Sequence, residues 1–185
     1  MKALLKILLL CLFTTTACAQ PLKKVTVVLD WFVNPDHAPL IVAQQQGYFA
    51  KQGLDVTLVS PADPNDGPKL VAANQADITI DYQAGLLQQV EQGLPLMRVG
   101  VLFPMNLNVM VVLKNGPVKT LKDLKGKTVG TSITSLDQGM LDVMLRHVGL
   151  SRKDVTLVNV NYNLVQALLT HKVDAITGVM RNVEP

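Results

Sequence analysis

Residues 29–40, "LDWFVNPDHAPL", bring Asp30, Trp31, Asn34, Asp36 and His37 together, and include the single tryptophan of a chain that is only 4% aromatic. An indole beside carboxylates, an amide and an imidazole suits recognition of a flat, polar small molecule: the ring stacks and the polar groups read the rim. Each residue also has a plainer use. Trp31 can pack a loop on a helix, Asp36 can cap a helix starting near residue 38, and His37 can be a helix-start or core residue.

Other polar residues fall after apolar runs in the same way. Ser60, Asp63 and Asp66 follow "DVTLV", and Asp81, Tyr82 and Gln83 follow "DITI". Ser132 ends "KTVGTS", and Thr134 and Ser135 follow it just before a helical pattern. Asn159 and Asn161 come at the end of a later run. Gly178, Arg181, Asn182 and Glu184 follow the last one. Asp63 and Asp66 also suit the turn "ADPNDGP", and Ser135 suits a helix N-cap. In open α/β sheets ligands bind beyond the carboxyl ends of the strands, so these sets would share one cleft if two sheets face each other. No H-E-x-x-H, G-x-S-x-G, P-loop or G-x-G-x-x-G motif is present. The three histidines fall apart from one another and make no metal cluster, so neither metal nor cofactor is expected.

The elements that would position these residues follow from periodicity. Strands are expected at 25–29, 55–59, 77–80, 127–132, 154–160 and 173–177, and helices at 38–51, 68–75, 83–92, 136–148 and 163–171. Alternating β and α favours mostly parallel sheets flanked by helices. The halves share letters. "GLDVTLV" at 53–59 echoes "GLSRKDVTLV" at 149–158, and "NQADITI" at 74–80 echoes "HKVDAIT" at 171–177, both offset by close to 100 residues. Two α/β lobes of one plan are therefore expected, with common α/β composition as the alternative source of the echo. Between them, "LPLMRVGVLF" and "NVMVVLKN" look strand-like and could act as hinges. The division is then 1–19 a leader, 20–103 lobe one, 104–126 a crossover or hinge region, and 127–185 lobe two, which ends early.

Residues 1–19 have the charged start, apolar core and A-x-A ending of a cleaved secretory leader, pointing to a periplasmic protein cut after Ala19. Lipidation at Cys18 is the alternative. Both cysteines lie in the leader, so residues 20–185 hold no thiol chemistry. Removing Lys2 and Lys6 from the 17 basic residues leaves +1 against 14 acidic ones, which implies no nucleic-acid partner.

The stretches "LDWFVNPDHAPLIVAQQQGYFAKQGLDVTLV", "ADPNDGPKLVAANQADITIDYQ", "QGLPL", "TLKDLKGKTVG" and "VDAITGVMRNVEP" resemble the periplasmic solute-binding proteins of ABC importers, in the branch related to fungal thiamine-pyrimidine synthases. The resemblance implies a type II-like periplasmic binding fold of two lobes closing over a ligand, the second incomplete here because family members run longer. It implies binding of a formylaminopyrimidine precursor of thiamine, delivery to an inner-membrane ABC permease, and a monomer. By the same resemblance Trp31 stacks on the pyrimidine with Tyr82 as second aromatic, and Asp30, Asn34, His37, Ser132, Asn182 and Glu184 are polar contacts. Related branches bind riboflavin, sulfonates or nitrate. Anions of that kind call for arginine, and only Arg181 of the four arginines lies near the expected site. The synthases are enzymes with a pyridoxal-phosphate lysine, a donated histidine and a cysteine-rich motif. Aspartate and glycine stand at the first two positions here, as Asp81 and Gly85, and the cysteines are absent. A non-catalytic binding role is expected.

Overall fold

The computed structural model describes residues 21–105, 108–132 and 134–179, the side chains of 134–138 and of Val179 excepted. Residues 1–19, read above as a leader, and Arg181, Asn182 and Glu184 lie outside the described residues.

Two sheets organise the chain. In the first, β1 (Lys23–Val28) is central, with β2 (Leu54–Val59) and β3 (Ile78–Thr79) parallel on either side. In the second, β5 (Thr128–Thr131) lies between β6 (Thr156–Asn159) and β7 (Ala175–Val179), all parallel, and β4 (Asn108–Val112) pairs antiparallel with β7. Helices α1 (Ala38–Gln45), α2 (Tyr48–Lys51) and α3 (Gly67–Ala72) connect the first sheet's strands. Helix α4 (Gln83–Glu91) follows β3, and α5 (Thr134–His147) and α6 (Leu164–Leu169) connect the strands of the second sheet.

The echo between the halves is structural. Thr26 and Asp77 exchange two hydrogen bonds, Thr26 N–H to Asp77 Oδ2 at 2.8 Å and Asp77 N–H to Thr26 O at 3.1 Å. Thr128 and Asp174 do the same, both at 2.8 Å. The helix before each aspartate stops in the same way, with Asn74 and His171 both at φ 56°. Asn74 N–H reaches the Val71 carbonyl and His171 N–H the Leu168 carbonyl. A left-handed residue after the last turn closes the helix and aims the chain into the next strand. His171 thus ends a helix.

The second sheet is covered on both faces. Val160, Leu164, Ala167, Leu168, Val173 and Ile176 form one core. Val118, Leu124, Val129, Leu141, Leu145 and Ala175 form the other. Neighbours on a strand point to opposite faces, which is why Ala175 and Ile176 belong to different cores. Gly130 sits where a β-carbon would meet Ile176 at 3.1 Å and Val173 at 3.2 Å, so the absence of a side chain lets that core close.

Three expectations needed correction. The helix read over 38–51 breaks at Gly47, whose φ of 66° is open to glycine at little cost. The run at 94–103 forms no strand: Val99 and Val101 are exposed, Pro95 and Pro104 flank them, and it pairs with no strand among the described residues. The strand at 108–112, read as part of a crossover, belongs to the second sheet because its alternating valines and Met110 feed both cores.

Candidate functional site

The loop after β1 is built by Asn34. Its side-chain oxygen accepts the Asp36 N–H at 2.9 Å, and its amide nitrogen donates to the Phe32 carbonyl at 3.0 Å. Its own N–H donates to His37 Nδ1 at 3.2 Å. A short 3-10 turn, Pro35–His37, follows and leads into α1. The cap expected from Asp36 on the helix near residue 38 does not form, since the residue before Ala38 is His37 and makes no side-chain cap bond; Asn34 caps the 3-10 turn that precedes it instead.

This fixes the state of His37. Nδ1 accepts a hydrogen bond, so the ring proton sits on Nε2 and is donated to Asp30 Oδ1 at 2.8 Å. His37 is buried. Tyr82 donates its hydroxyl to Asp30 Oδ2 at 2.6 Å. Asp30 thus ties the end of β1, the start of α1 and the residue after β3 into one network. Burial, reinforced by the Asp30 carboxylate, holds the Tyr82 phenol well above its usual range.

Asp81 stands beside this network. The pairing of Val28 with Thr79, continued two residues, brings Asp30 level with Asp81, and Ile80 N–H still bonds the Val28 carbonyl at 2.9 Å. Burial pushes the Asp81 carboxyl up to about 6; a hydrogen bond from the Tyr82 backbone works against this and the Asp30 charge adds to it. Its Oδ2 is buried and has no hydrogen-bond partner among the described residues.

Trp31 is half-buried and packs on the second lobe's core around Val160 and Ile176. Its ring meets Tyr162 edge-on, centroids 4.6 Å apart, and Phe32 stacks obliquely on Tyr162 at 4.2 Å. The Tyr162 hydroxyl donates to the Pro61 carbonyl at 2.7 Å, spanning 101 residues. Burial, and after it the Asp63 carboxylate, pushes that phenol up to about 12. Asp63 accepts both the backbone and side-chain N–H groups of Asn65, which hold its carboxyl below the usual range. Asn65 in turn donates to the Ser132 carbonyl at 3.1 Å. Helices α4 and α5 also touch, with Gly139 facing Ala84 and Gln88. The lobes therefore meet at the carboxyl ends of their strands.

Of the residues singled out from the sequence, Asp30, His37 and Tyr82 share one network, Asn34 supports it, Trp31 stands at the lobe junction, and buried Ser132 touches that junction through its carbonyl. Tyr162 was missed. It is one of three tyrosines and follows Asn161 just beyond β6, so the strand-end rule that flagged the asparagines could have found it. Among the described residues no cluster of His, Cys, Asp or Glu could hold a metal ion, and no helix is long and apolar enough to cross a membrane.

Comparison with known proteins adds the family context. The family described as "NMT1/THI5 like" matches residues 34–185. A protein of Haemophilus influenzae named for thiamine biosynthesis is 54% identical, over 88% of this chain and 52% of its own length. The formylaminopyrimidine-binding protein of Halalkalibacterium halodurans is 32% identical, over 94% and 53%. A 4-amino-5-hydroxymethyl-2-methylpyrimidine phosphate synthase of Uromyces fabae is 29% identical, over 84% and 46%. The chain spans about half the length of these relatives. In fold it is similar to the alkanesulfonate-binding protein of Xanthomonas axonopodis pv. citri, with a TM-score of 0.67 at 19% identity over 87% of this chain and 56% of that one.

Proposed function

Since the chain belongs to the NMT1/THI5-like family and its relatives include both a binding protein and a synthase by name, we propose that it captures a thiamine pyrimidine precursor without chemical change. The ligand is N-formyl-4-amino-5-aminomethyl-2-methylpyrimidine or a close analogue. The protein works outside the inner membrane and hands the ligand to an ABC permease. The observation that supports this reading best is the pairing of Trp31 with Tyr162 where the lobes meet, Trp31 being the next residue after Asp30 of the Asp30–His37–Tyr82 network.

Recognition follows from that layout. The flat ring lies against the aromatic pair, and stacking contributes on the order of 1 kcal/mol beyond area burial. The polar residues of lobe one face the rim of the ring, and a ligand that leaves one of them unpaired loses about 1–3 kcal/mol. The lobes are joined by side-chain contacts from Asn65 and Tyr162, so rotation of one lobe about the connecting segment would open and close the site.

Catalysis has little support. The position that carries the cofactor lysine in the resembling synthases holds Asp81, a carboxylate that cannot form a Schiff base. Isothermal titration with the formylaminopyrimidine, thiamine, riboflavin, taurine and nitrate tests the proposal. Binding of the pyrimidine alone is the expected result, and binding of only the anions overturns it.

A further inference from the structure

We infer that Asp81, rather than Asp30, reads the exocyclic amine of the bound heterocycle and sets the preference for an amino over an oxo substituent. This rests on the aminopyrimidine reading and assigns the specificity of that same site.

Donor accounting separates the two carboxylates. Both oxygens of Asp30 are engaged, Oδ1 by His37 and Oδ2 by Tyr82, and only 11% of its side chain is exposed. Asp30 is therefore a positioning residue that orients an imidazole and a phenol. Asp81 makes no ion pair among the described residues, and its Oδ2 is buried without a donor. A buried acceptor left without a donor is costly, and a ligand N–H placed at Oδ2 removes that cost.

Position supports the same assignment. Asp81 stands at the carboxyl end of β3, level with Asp30 at the carboxyl end of β1, where ligands of open α/β sheets bind. Burial and the neighbouring Asp30 charge disfavour its ionised form in the empty site. A nearby donor reverses that balance. An amino group presents N–H to Oδ2, whereas an oxo group at the same place presents lone pairs to a carboxylate. The site thus discriminates by leaving a wrong ligand's oxygen facing an acceptor.

The test is calorimetric titration at pH 7.5 of the wild-type chain, Asp81→Asn and Asp30→Asn with two probes, N-formyl-4-amino-5-aminomethyl-2-methylpyrimidine and its 4-oxo counterpart. Wild type should favour the amino compound by about tenfold or more. Asp81→Asn, whose amide can donate as well as accept, should bring the ratio close to one. Asp30→Asn should weaken both probes by a similar factor, because it misplaces His37 and Tyr82. Thermal melting of Asp81→Asn should show no loss of stability, so a collapsed ratio is not a folding defect. An unchanged ratio in Asp81→Asn, or a ratio lost only in Asp30→Asn, overturns the assignment. Wild type that binds neither compound overturns the ligand reading itself, and this one with it.

Discussion

The Tyr162 hydroxyl donates to the Pro61 carbonyl at 2.7 Å, joining the loop after β6 to the loop after β2. This bond, together with the Asn65 contact to Ser132, holds together the lobe edges on which Trp31 sits. Tyr162→Phe keeps both ring contacts and removes only this bond. The expected loss is about 1 kcal/mol in urea unfolding, since a part-buried carbonyl also loses its donor. A loss near zero would mean that water serves Pro61 equally well.

Trp31 has two partners to lose, the proposed ligand and the second lobe. Trp31→Ala should weaken pyrimidine binding by at least about tenfold and also lower stability, because the indole packs on the Val160–Ile176 core. Trp31→Phe should keep most of both. Calorimetry beside thermal melting checks this; unchanged affinity in Trp31→Ala removes the stacking role.

Asp81 gives a pH signature with a definite sign. Its carboxyl is raised from 3.8 to about 6 in the folded chain, so between those values the native state holds more protons than the unfolded one. Its contribution to stability therefore falls as pH rises from about 4 to about 6. Above that it is a constant penalty of up to about 3 kcal/mol. Asp81→Asn lacks this group. The stability of the variant relative to wild type should be small at pH 4, grow toward pH 6 and level off above it, as read by denaturant melts across that range.

The paired Thr–Asp clasps differ in surroundings. Asp174 holds the Thr128 N–H in a part-buried setting, and Asp77 holds the Thr26 N–H in an exposed one. Asp174→Ala should cost about 1.5–3 kcal/mol and Asp77→Ala less, because a bond to a charged group is worth more away from water. Faster amide exchange at Thr128 in the first variant would localise the effect.

Much of this was legible before any coordinates. Runs of Val, Thr and Leu marked β1, β2, β5 and β6, and the repeated aspartates of "NQADITI" and "HKVDAIT" turned out to be the two clasps. What stayed hidden depends on partners distant in sequence. "LPLMRVGVLF" has strand composition but joins neither sheet among the described residues, and β4 is a strand because β7 lies beside it. The break at Gly47 was missed because helix-compatible residues stand on both sides of it, Gln44, Gln45 and Gln46 before and Tyr48, Phe49 and Ala50 after, while one left-handed residue ends the helix. Asp30 looked like a free contact in the sequence; the donors that occupy it, His37 and Tyr82, come from 7 and 52 residues away.

Trp31 is the only tryptophan in the chain, so intrinsic tryptophan fluorescence reports on this one ring. Titrating the chain with N-formyl-4-amino-5-aminomethyl-2-methylpyrimidine should change its emission saturably, with the midpoint found by calorimetry, while taurine and nitrate leave it unchanged. Calorimetric binding of the pyrimidine with no change in emission would contradict a ligand resting on that indole.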